Sequence, residues 1–248
     1  MQNLQPAWTP GSWTDVVDLR DFYDGSLGQS TRRLLRRHLR QLWPDTHDLR
    51  ILGLGFATPL LRPFLNEAER VIAVMPANQG VLHWPPEGPG LTVLADESDL
   101  PLPDSSMDRI VLMHALESTE QVRAMMREVW RVLADGGRLV IIAPNRRGIW
   151  ARLERTPFGN GRPYTGGQLA RMLRDNMFTP VSLSGALFLP PTTSRVMLRS
   201  APAFEQVGRR WFQTFAGVNI VEATKQIYAA TPSRASKRRA YVIAPQGF

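Results

Sequence analysis

The chain of 248 residues contains no cysteine and only two lysines. The absence of cysteine excludes disulfides, thiolate metal sites and cysteine nucleophiles. The four histidines are His38, His47, His83 and His114. Their positions along the chain have no metal-ligand spacing, so we expect no structural zinc site and no other metal.

Long apolar runs are also missing. No stretch approaches the roughly 18 residues that a membrane-spanning helix needs, and the first residues lack the basic segment and apolar core of a secretory signal. With 43% hydrophobic and 21% charged residues, the composition is that of an ordinary globular protein. These features predict a cytoplasmic protein without a membrane partner.

Positive charge is concentrated in the C-terminal part of the chain. Residues 1–146 carry a net charge of −3, whereas residues 147–248 carry +11. Such an asymmetry is typical of proteins with an anionic partner, which here could be RNA or a ribosomal component. Because 28 of the 30 basic residues are arginine, coding bias in a GC-rich genome is an alternative explanation.

From residue 49 onward, short apolar runs alternate with helical patterns. The runs predict strands at Arg50–Leu54, Val71–Met75, Leu91–Ala95, Arg109–Met113, Arg138–Ala143, Val181–Leu187 and Val218–Tyr228. Helices are predicted at Ser30–Trp43, at Ser118–Leu133 and from Thr165 onward. This alternation predicts an α/β fold with a doubly wound, mostly parallel sheet, whose ligands bind beyond the carboxyl ends of the strands.

Three motifs carry the residues with the clearest chemistry. The first strand runs into Gly53-Leu54-Gly55-Phe56-Ala57-Thr58-Pro59, a turn at which a ligand can approach the backbone closely. Asp96-Glu97 precedes a Leu-Pro pair, and His114-Ala-Leu-Glu117 ends the fourth strand before a Leu-x-x-Gly-Gly-x-Leu run. In this order and spacing the chain resembles the class I S-adenosylmethionine-dependent methyltransferases of type 11. The resemblance is good over residues 49–145 and looser through residues 164–169.

The resemblance implies a seven-stranded Rossmann-like fold, S-adenosyl-L-methionine as cofactor and methyltransferase activity. Carried over position by position, it implies cofactor contacts at Gly53, Leu54, Gly55, Phe56, Met75, Asp96, Glu97 and His114. The glycine turn would pack against the methionine moiety, and Asp96 and Glu97 would contact adenine. From the residues alone, Asp96 could instead be a turn residue and His114 a hydrogen-bonded histidine of the core.

The chain departs from the family pattern at four positions. Gly53 stands where the family usually has an acidic residue, Ala57 and Pro59 replace glycines, and Met75 replaces the carboxylate that takes the ribose hydroxyls. Hydrogen bonds to a charged group contribute roughly 1.5–3 kcal/mol each. Without that carboxylate we expect cofactor binding to be weaker by about ten- to a hundred-fold.

The catalytic residues are not fixed by a motif, and the candidates for a base are His114, Tyr164 and Glu117. Three functions fit the sequence. The chain could methylate RNA or a ribosome-associated protein, which the positive charge of residues 147–248 favours. It could methylate a small molecule bound by the aromatic residues of segment 146–164. It could also be a catalytically inactive methyltransferase-like protein that binds a partner protein.

The predicted organisation has three parts. Residues 1–28 form an irregular N-terminal extension that contains proline, glycine and tryptophan. Residues 29–230 form a methyltransferase-like domain, with a cofactor half at 49–145 and an acceptor-side half at 146–230. Residues 231–248 form a basic C-terminal tail.

Overall fold

The computed structural model describes residues 15–226. Within them, seven strands form one sheet: β1 (Arg50–Gly55), β2 (Arg70–Pro76), β3 (Thr92–Ala95), β4 (Met107–Met113), β5 (Leu133–Pro144), β6 (Phe178–Ala186) and β7 (Val218–Lys225). All seven were predicted. The largest difference between predicted and observed bounds is at β5, which begins at Leu133 rather than at Arg138. Residues 134–137 form an irregular start of this strand, where its register with β4 shifts.

The strand order is β3-β2-β1-β4-β5-β7-β6. Strands β1 to β5 pair in parallel, and β7 is antiparallel to β5 and β6. The register sets Gly55 beside Met113 and Pro76 beside Ala95, so the carboxyl ends of β1 to β4 share one edge. Strand order reverses between β1 and β4, which is where ligands bind in such sheets. The doubly wound, mostly parallel fold is therefore confirmed.

Helices cover both faces of the sheet. They are α1 (Val16–Asp24), α2 (Ser26–Leu42), α3 (Thr58–Leu61), α4 (Val122–Val132), α5 (Gly166–Asp175), α6 (Arg195–Arg199) and α7 (Ala201–Trp211). Helices α1 to α3 bury Leu19, Leu39 and Leu61 in the core on one face. Helices α4 and α5 bury Val129 and Leu173 in the core on the other.

The prediction of irregular structure in residues 1–28 is wrong for α1. Asp15 caps this helix, because its carboxylate accepts a hydrogen bond of 2.7 Å from the backbone N–H of Val17. Leu19, Phe22 and Tyr23 then fall on one buried face. The tryptophans, the prolines and Gly11 precede this helix, and Gly25 follows its end. Residues 1–14 lie outside the described part of the chain.

The other helices differ from prediction mainly at their ends. Helix α2 begins at Ser26 rather than at Ser30, because the carbonyl of Gly25 already accepts the first helical hydrogen bond from Gln29. Helix α4 begins four residues later than predicted. Helix α5 follows Thr165 as predicted, through a reciprocal pair of hydrogen bonds between Thr165 and Gln168.

The acceptor-side half contains two helices that the sequence analysis did not predict, α6 and α7. They pack beside β6 and α2 through Leu198 and Ala201. Strand β7 ends at Lys225, three residues before the predicted end. The predicted basic tail at 231–248 lies outside the described residues.

Candidate functional site

The predicted site residues lie along the carboxyl edge of β1 to β4. Gly53, Leu54 and Gly55 form the end of β1 and Phe56 follows it. Met75 is near the end of β2, Asp96 and Glu97 follow β3, and His114 follows β4. The side chain of Leu54 points into the core on the α4 face, so only its backbone reaches this edge.

The glycine turn is shaped by packing inside the protein. Gly55 has a φ of +84°, and a Cβ there would lie 2.3 Å from the carbonyl oxygen of Met113. A Cβ on Gly53 would lie 2.7 Å from the side chain of Leu61. Both positions therefore require glycine for the fit of β1 against β4 and α3, whether or not a ligand binds.

A chain of three hydrogen-bonded side chains is buried at the end of β4. The Tyr23 hydroxyl lies 2.8 Å from Nε2 of His114, and Nδ1 of His114 lies 3.2 Å from Oε1 of Glu117. Their residues are only 2%, 3% and 4% exposed. The backbone of His114 has a φ of +54°, and Gln79 donates a hydrogen bond to its carbonyl. We call Tyr23, His114 and Glu117 the relay.

Within the relay, the donor and acceptor roles of the three side chains follow from one another. Burial, together with the nearby charge of Glu117, raises the pKa of the Tyr23 hydroxyl well above its usual value, so Tyr23 is a neutral donor. The carboxylate of Glu117 accepts from Nδ1–H of His114, which leaves Nε2 to accept from Tyr23. This arrangement of base and carboxylate is one that enzymes use to move a proton.

Aromatic rings enclose the relay. Phe56 stacks against Tyr23 with ring centroids 5.9 Å apart, and Phe158 lies 4.9 Å from His114. Trp150 packs edge-on against Phe158 at 5.5 Å. These rings are apolar, and hydrogen bonds in apolar surroundings are stronger than in water.

Glu117 has one oxygen that is not accounted for. Its Oε2 is buried and has no hydrogen-bond partner among the described residues. Tyr164, a candidate base from the sequence, lies near this carboxylate, which together with burial raises the pKa of Tyr164. Its hydroxyl is 3.5 Å from the carbonyl of Leu116, and it does not join the relay.

The end of β3 presents two acidic side chains. Asp96 is exposed and its Oδ1 accepts hydrogen bonds from the backbone N–H and the hydroxyl of Ser98, at 2.8 and 2.7 Å. These hydrogen bonds lower the pKa of Asp96. Glu97 accepts a hydrogen bond of 3.0 Å from Thr119. Asp96 thus serves as a turn residue, and its second oxygen is available to a ligand.

The end of β2 differs from the family pattern in charge as well as in residue type. Met75 is buried, and its sulfur accepts a weak contact from the backbone N–H of Leu82 at 3.5 Å. Beside it lies a cavity of about 240 Å³ that also contacts Tyr23 and Phe56. Its lining includes Arg20, Arg32, Arg36 and Arg62.

Arg36 is repelled by Arg32 and Arg62, whereas Arg20 is paired with Asp21 at 2.8 Å. Burial, followed by the charges of Arg32 and Arg62, lowers the pKa of Arg36 to about 10. Arg62 has an exposed partner in Glu87 at 3.5 Å. Positive charge therefore stands close to the place where the family has a carboxylate.

Sequence reasoning missed Tyr23, because it lies 91 residues before its partner His114 in a segment predicted to be irregular. The available signal was the spacing of Val16, Leu19 and Tyr23 after Asp15, which is typical of a capped amphipathic helix. It also missed Gln79, for which we find no sequence signal. No group of three or more potential metal ligands occurs within residues 15–226. Over the same range, none of the helices has both the length and the apolar character needed to span a bilayer.

Comparisons with known proteins agree with this geometry. Residues 52–141 match the family model described as a methyltransferase domain. A demethylmenaquinone methyltransferase of Thermus thermophilus is 29% identical over 176 residues, which cover 67% of this chain and 79% of that protein. A Mycobacterium tuberculosis protein named as a probable S-adenosylmethionine-dependent methyltransferase is 31% identical over 126 residues, which cover 50% of this chain and 46% of that protein.

Solved structures give the same fold. A methyltransferase structure from Archaeoglobus fulgidus, described as dependent on S-adenosylmethionine, superposes with a TM-score of 0.61 over 85% of this chain and 100% of that one. Its sequence is 20% identical, so the likeness concerns the fold alone.

Proposed function

Because residues 52–141 match a methyltransferase family model and the chain is similar to S-adenosylmethionine-dependent methyltransferases, we propose that it is such an enzyme and that it methylates a hydroxyl or amino group of a small aromatic acceptor. The observation that carries the proposal is the relay, which lies at the carboxyl end of β4 within a shell of aromatic rings. A buried base of this kind is useful only when the acceptor must lose a proton.

S-adenosyl-L-methionine is the cofactor of the family, and when bound it supplies a methyl group whose bond to sulfur breaks as the bond to the acceptor atom forms. The edge of the sheet offers it suitable partners at two places. Asp96 and Glu97 are hydrogen-bond acceptors for the adenine amino group. The unpartnered oxygen of Glu117 would be satisfied by an ammonium group such as that of the methionine moiety. Met75 offers only a thioether to the ribose.

The relay provides a path for one proton. The Tyr23 hydroxyl donates to Nε2 of His114, so the phenol oxygen can accept a proton from the acceptor as it passes its own to the imidazole. Glu117 then stabilises the imidazolium that forms. Tyr23 lines the cavity beside Met75, so the outer member of the relay faces a space that a ligand can enter.

The character of the enclosure supports a small aromatic acceptor. Phe22, Phe56, Trp150 and Phe158 surround the relay and carry no charge. The Thermus thermophilus relative is named as a demethylmenaquinone methyltransferase, and this name supports a flat, apolar, ring-shaped acceptor for this chain, though not the acceptor atom. The positive charge of residues 147–248 supports RNA as a second candidate, and binding to RNA would weaken steeply with added salt.

A catalytically inactive binding protein is the candidate from another class. Met75 at the end of β2 and the tightly packed Gly53 and Gly55 favour it. Such a protein would neither bind S-adenosylmethionine nor label any acceptor, and it would retain a companion protein on purification.

The proposal is tested with cofactor that carries a radioactive methyl group, incubated with the full chain and a cell extract. We expect label in the lipid-soluble or small-molecule pool, and a loss of about a hundredfold or more in the rate with Tyr23→Phe. Tyr164→Phe should retain most of the rate. Label confined to RNA or protein would overturn the acceptor class. A loss with Tyr164→Phe but not with Tyr23→Phe would overturn the relay.

A further inference from the structure

An apolar strip faces solvent on α7 and the turn that follows it. Phe204, Val207 and Trp211 are spaced by three and four residues, so they share one face of the helix. Trp211 is 71% exposed, and Phe212 and Phe215 continue the strip with 53% and 64% of their surface exposed. We call these five residues the aromatic strip. A contiguous exposed patch of large apolar side chains marks an interaction surface.

The strip is exposed because α7 is fixed to the protein through a neighbouring face, which carries Ala201, Glu205 and Gly208. Glu205 is buried and accepts a hydrogen bond of 2.9 Å from the backbone N–H of Phe188. Gly208 lies against the Phe188 ring so closely that a Cβ would be 2.1 Å from it. The helix is therefore held by its inner face, and the aromatic strip has no place in the core.

The charge around the strip has one sign. Between residues 195 and 215 the basic side chains are Arg195, Arg199, Arg209 and Arg210, and Glu205 is the single acidic residue. Glu205 is buried beside Arg209, whose Nε is also buried, so it does not offset Arg195, Arg199 and Arg210 at the surface. Arg33 and Arg37 of α2 extend the basic rim, because they line the grooves beside α6 and α7.

We propose that this face docks the protein onto the surface of an anionic lipid bilayer. Tryptophan and phenylalanine bind at the boundary between headgroups and acyl chains, and arginines beside them contact lipid phosphates. A convex helix with aromatic side chains at its crest and only basic side chains at its rim is complementary to a planar anionic surface. Attachment to a membrane surface requires neither a spanning run nor a secretory signal, so the absence of these two features does not bear on it.

A series of contacts connects α7 with the relay. Trp150 donates a hydrogen bond of 2.8 Å to the carbonyl of Leu189, in the segment on which α7 packs. Trp150 contacts Phe158, which contacts His114. Membrane docking does not depend on the proposed methyl transfer, but it would bring a lipid-soluble acceptor near the relay.

The test is flotation of the full chain with vesicles of phosphatidylethanolamine and phosphatidylglycerol, compared with vesicles of phosphatidylcholine alone. We expect binding to the anionic vesicles, and a loss of about tenfold or more in the triple variant Trp211→Ser, Phe212→Ser, Phe215→Ser. The matched control is Val93→Ser with Leu94→Ser, which removes exposed apolar side chains from β3 at the other edge of the sheet. This control should bind as the unaltered chain does.

Several results would overturn the proposal. The triple variant keeps every arginine and both terminal segments, so undiminished binding would assign attachment to the basic residues alone. Equal binding to both kinds of vesicle would contradict a role for anionic lipid. Absence of vesicle binding, together with a concentration-dependent dimer that the triple variant abolishes, would assign the strip to self-association. Circular dichroism and thermal unfolding verify that each variant is folded.

Discussion

The carboxyl ends of β4 and β2 lie at the same edge of the sheet, yet they offer a ligand opposite environments. At β4, the relay packs against aromatic rings and both ring nitrogens of His114 have a partner. At β2, Met75 adjoins a cavity that is lined by arginines and lacks the ribose carboxylate of the family. The chain thus holds the groups for moving a proton at one strand end, and lacks a usual cofactor contact at the other.

This difference separates two requirements of methyl transfer. Positioning the cofactor depends on contacts spread along the edge, so the loss of one contact weakens binding without abolishing it. Removing a proton depends on a few groups in contact, so the loss of one member of the relay removes the function. We therefore expect substitutions at β4 to act on rate and substitutions at β2 to act on affinity.

The largest effect is expected at β4. His114→Gln and Glu117→Gln should each lower the rate of labelled methyl transfer by about a hundredfold or more, because the base or its stabilising carboxylate is lost. Calorimetric affinity for S-adenosylmethionine should change far less. The matched control is His38→Gln, which alters another buried histidine, one that contacts Ser184 of β6 and no member of the relay, and should leave the rate unchanged. Rates within threefold of the unaltered chain for both relay variants would contradict the role of the relay.

At β2, Met75→Glu should strengthen cofactor binding by about ten- to a hundred-fold. The new carboxylate can accept both ribose hydroxyls, and the neighbouring Arg32 and Arg36 offset the cost of burying its charge. Met75→Leu is the control for the change in packing, and both are measured by calorimetric titration. Equal affinity of the two variants would mean that the ribose does not lie at the end of β2.

His38, the other buried histidine, makes the stability of the fold depend on pH. His38 contacts the Ser184 hydroxyl at 2.8 Å, and burial, followed by the charge of Arg209, lowers its pKa to about 4. The unfolded chain therefore binds a proton more readily, so stability is full above pH 6.5 and is lost as the pH falls from 6.5 towards 4. At pH 5 we expect His38 to lower the free energy of unfolding by roughly 2 kcal/mol relative to its value at neutral pH.

The measurement is urea unfolding at pH 7 and pH 5 for the unaltered chain and His38→Gln. The variant should lose less stability between these two pH values, because its amide does not titrate. An identical decrease in both proteins would show that other groups govern the acid sensitivity.

The smallest effect is expected at β3. Asp96→Asn should weaken S-adenosylmethionine binding by about fivefold, which corresponds to about 1 kcal/mol for one hydrogen bond. Asp99→Asn, in the same loop, is the matched control and should bind as the unaltered chain does. Equal affinities for the two variants would make Asp96 a turn residue alone.

The sheet was predictable from sequence because its strands leave local signals. Val71–Met75 and Arg109–Met113 are short apolar runs between polar turns, and such runs occur where a strand is buried on both faces. The helices were less predictable. Val16–Asp24 follows a segment rich in breakers, and the outward strip of α7 does not show which face packs on Phe188.

The candidate site was predictable only where it is local in sequence. Gly55, Asp96 and His114 follow predicted strands, so their place at the edge could be inferred from the fold class. The contact of Tyr23 with His114 could not, since it depends on how α1 crosses the sheet. The cavity beside Met75 is lined by arginines from segments that are distant in sequence. The number of charged residues in a segment does not predict that these arginines lie together.

The most direct test is calorimetric titration of the full chain with S-adenosylmethionine and with S-adenosylhomocysteine. We expect one molecule of either to bind per chain, with a dissociation constant between micromolar and millimolar, and Met75→Glu to strengthen that binding. No binding up to millimolar concentration, in the unaltered chain and in Met75→Glu alike, would contradict a methyltransferase that acts by itself. The fold would then serve for binding a partner.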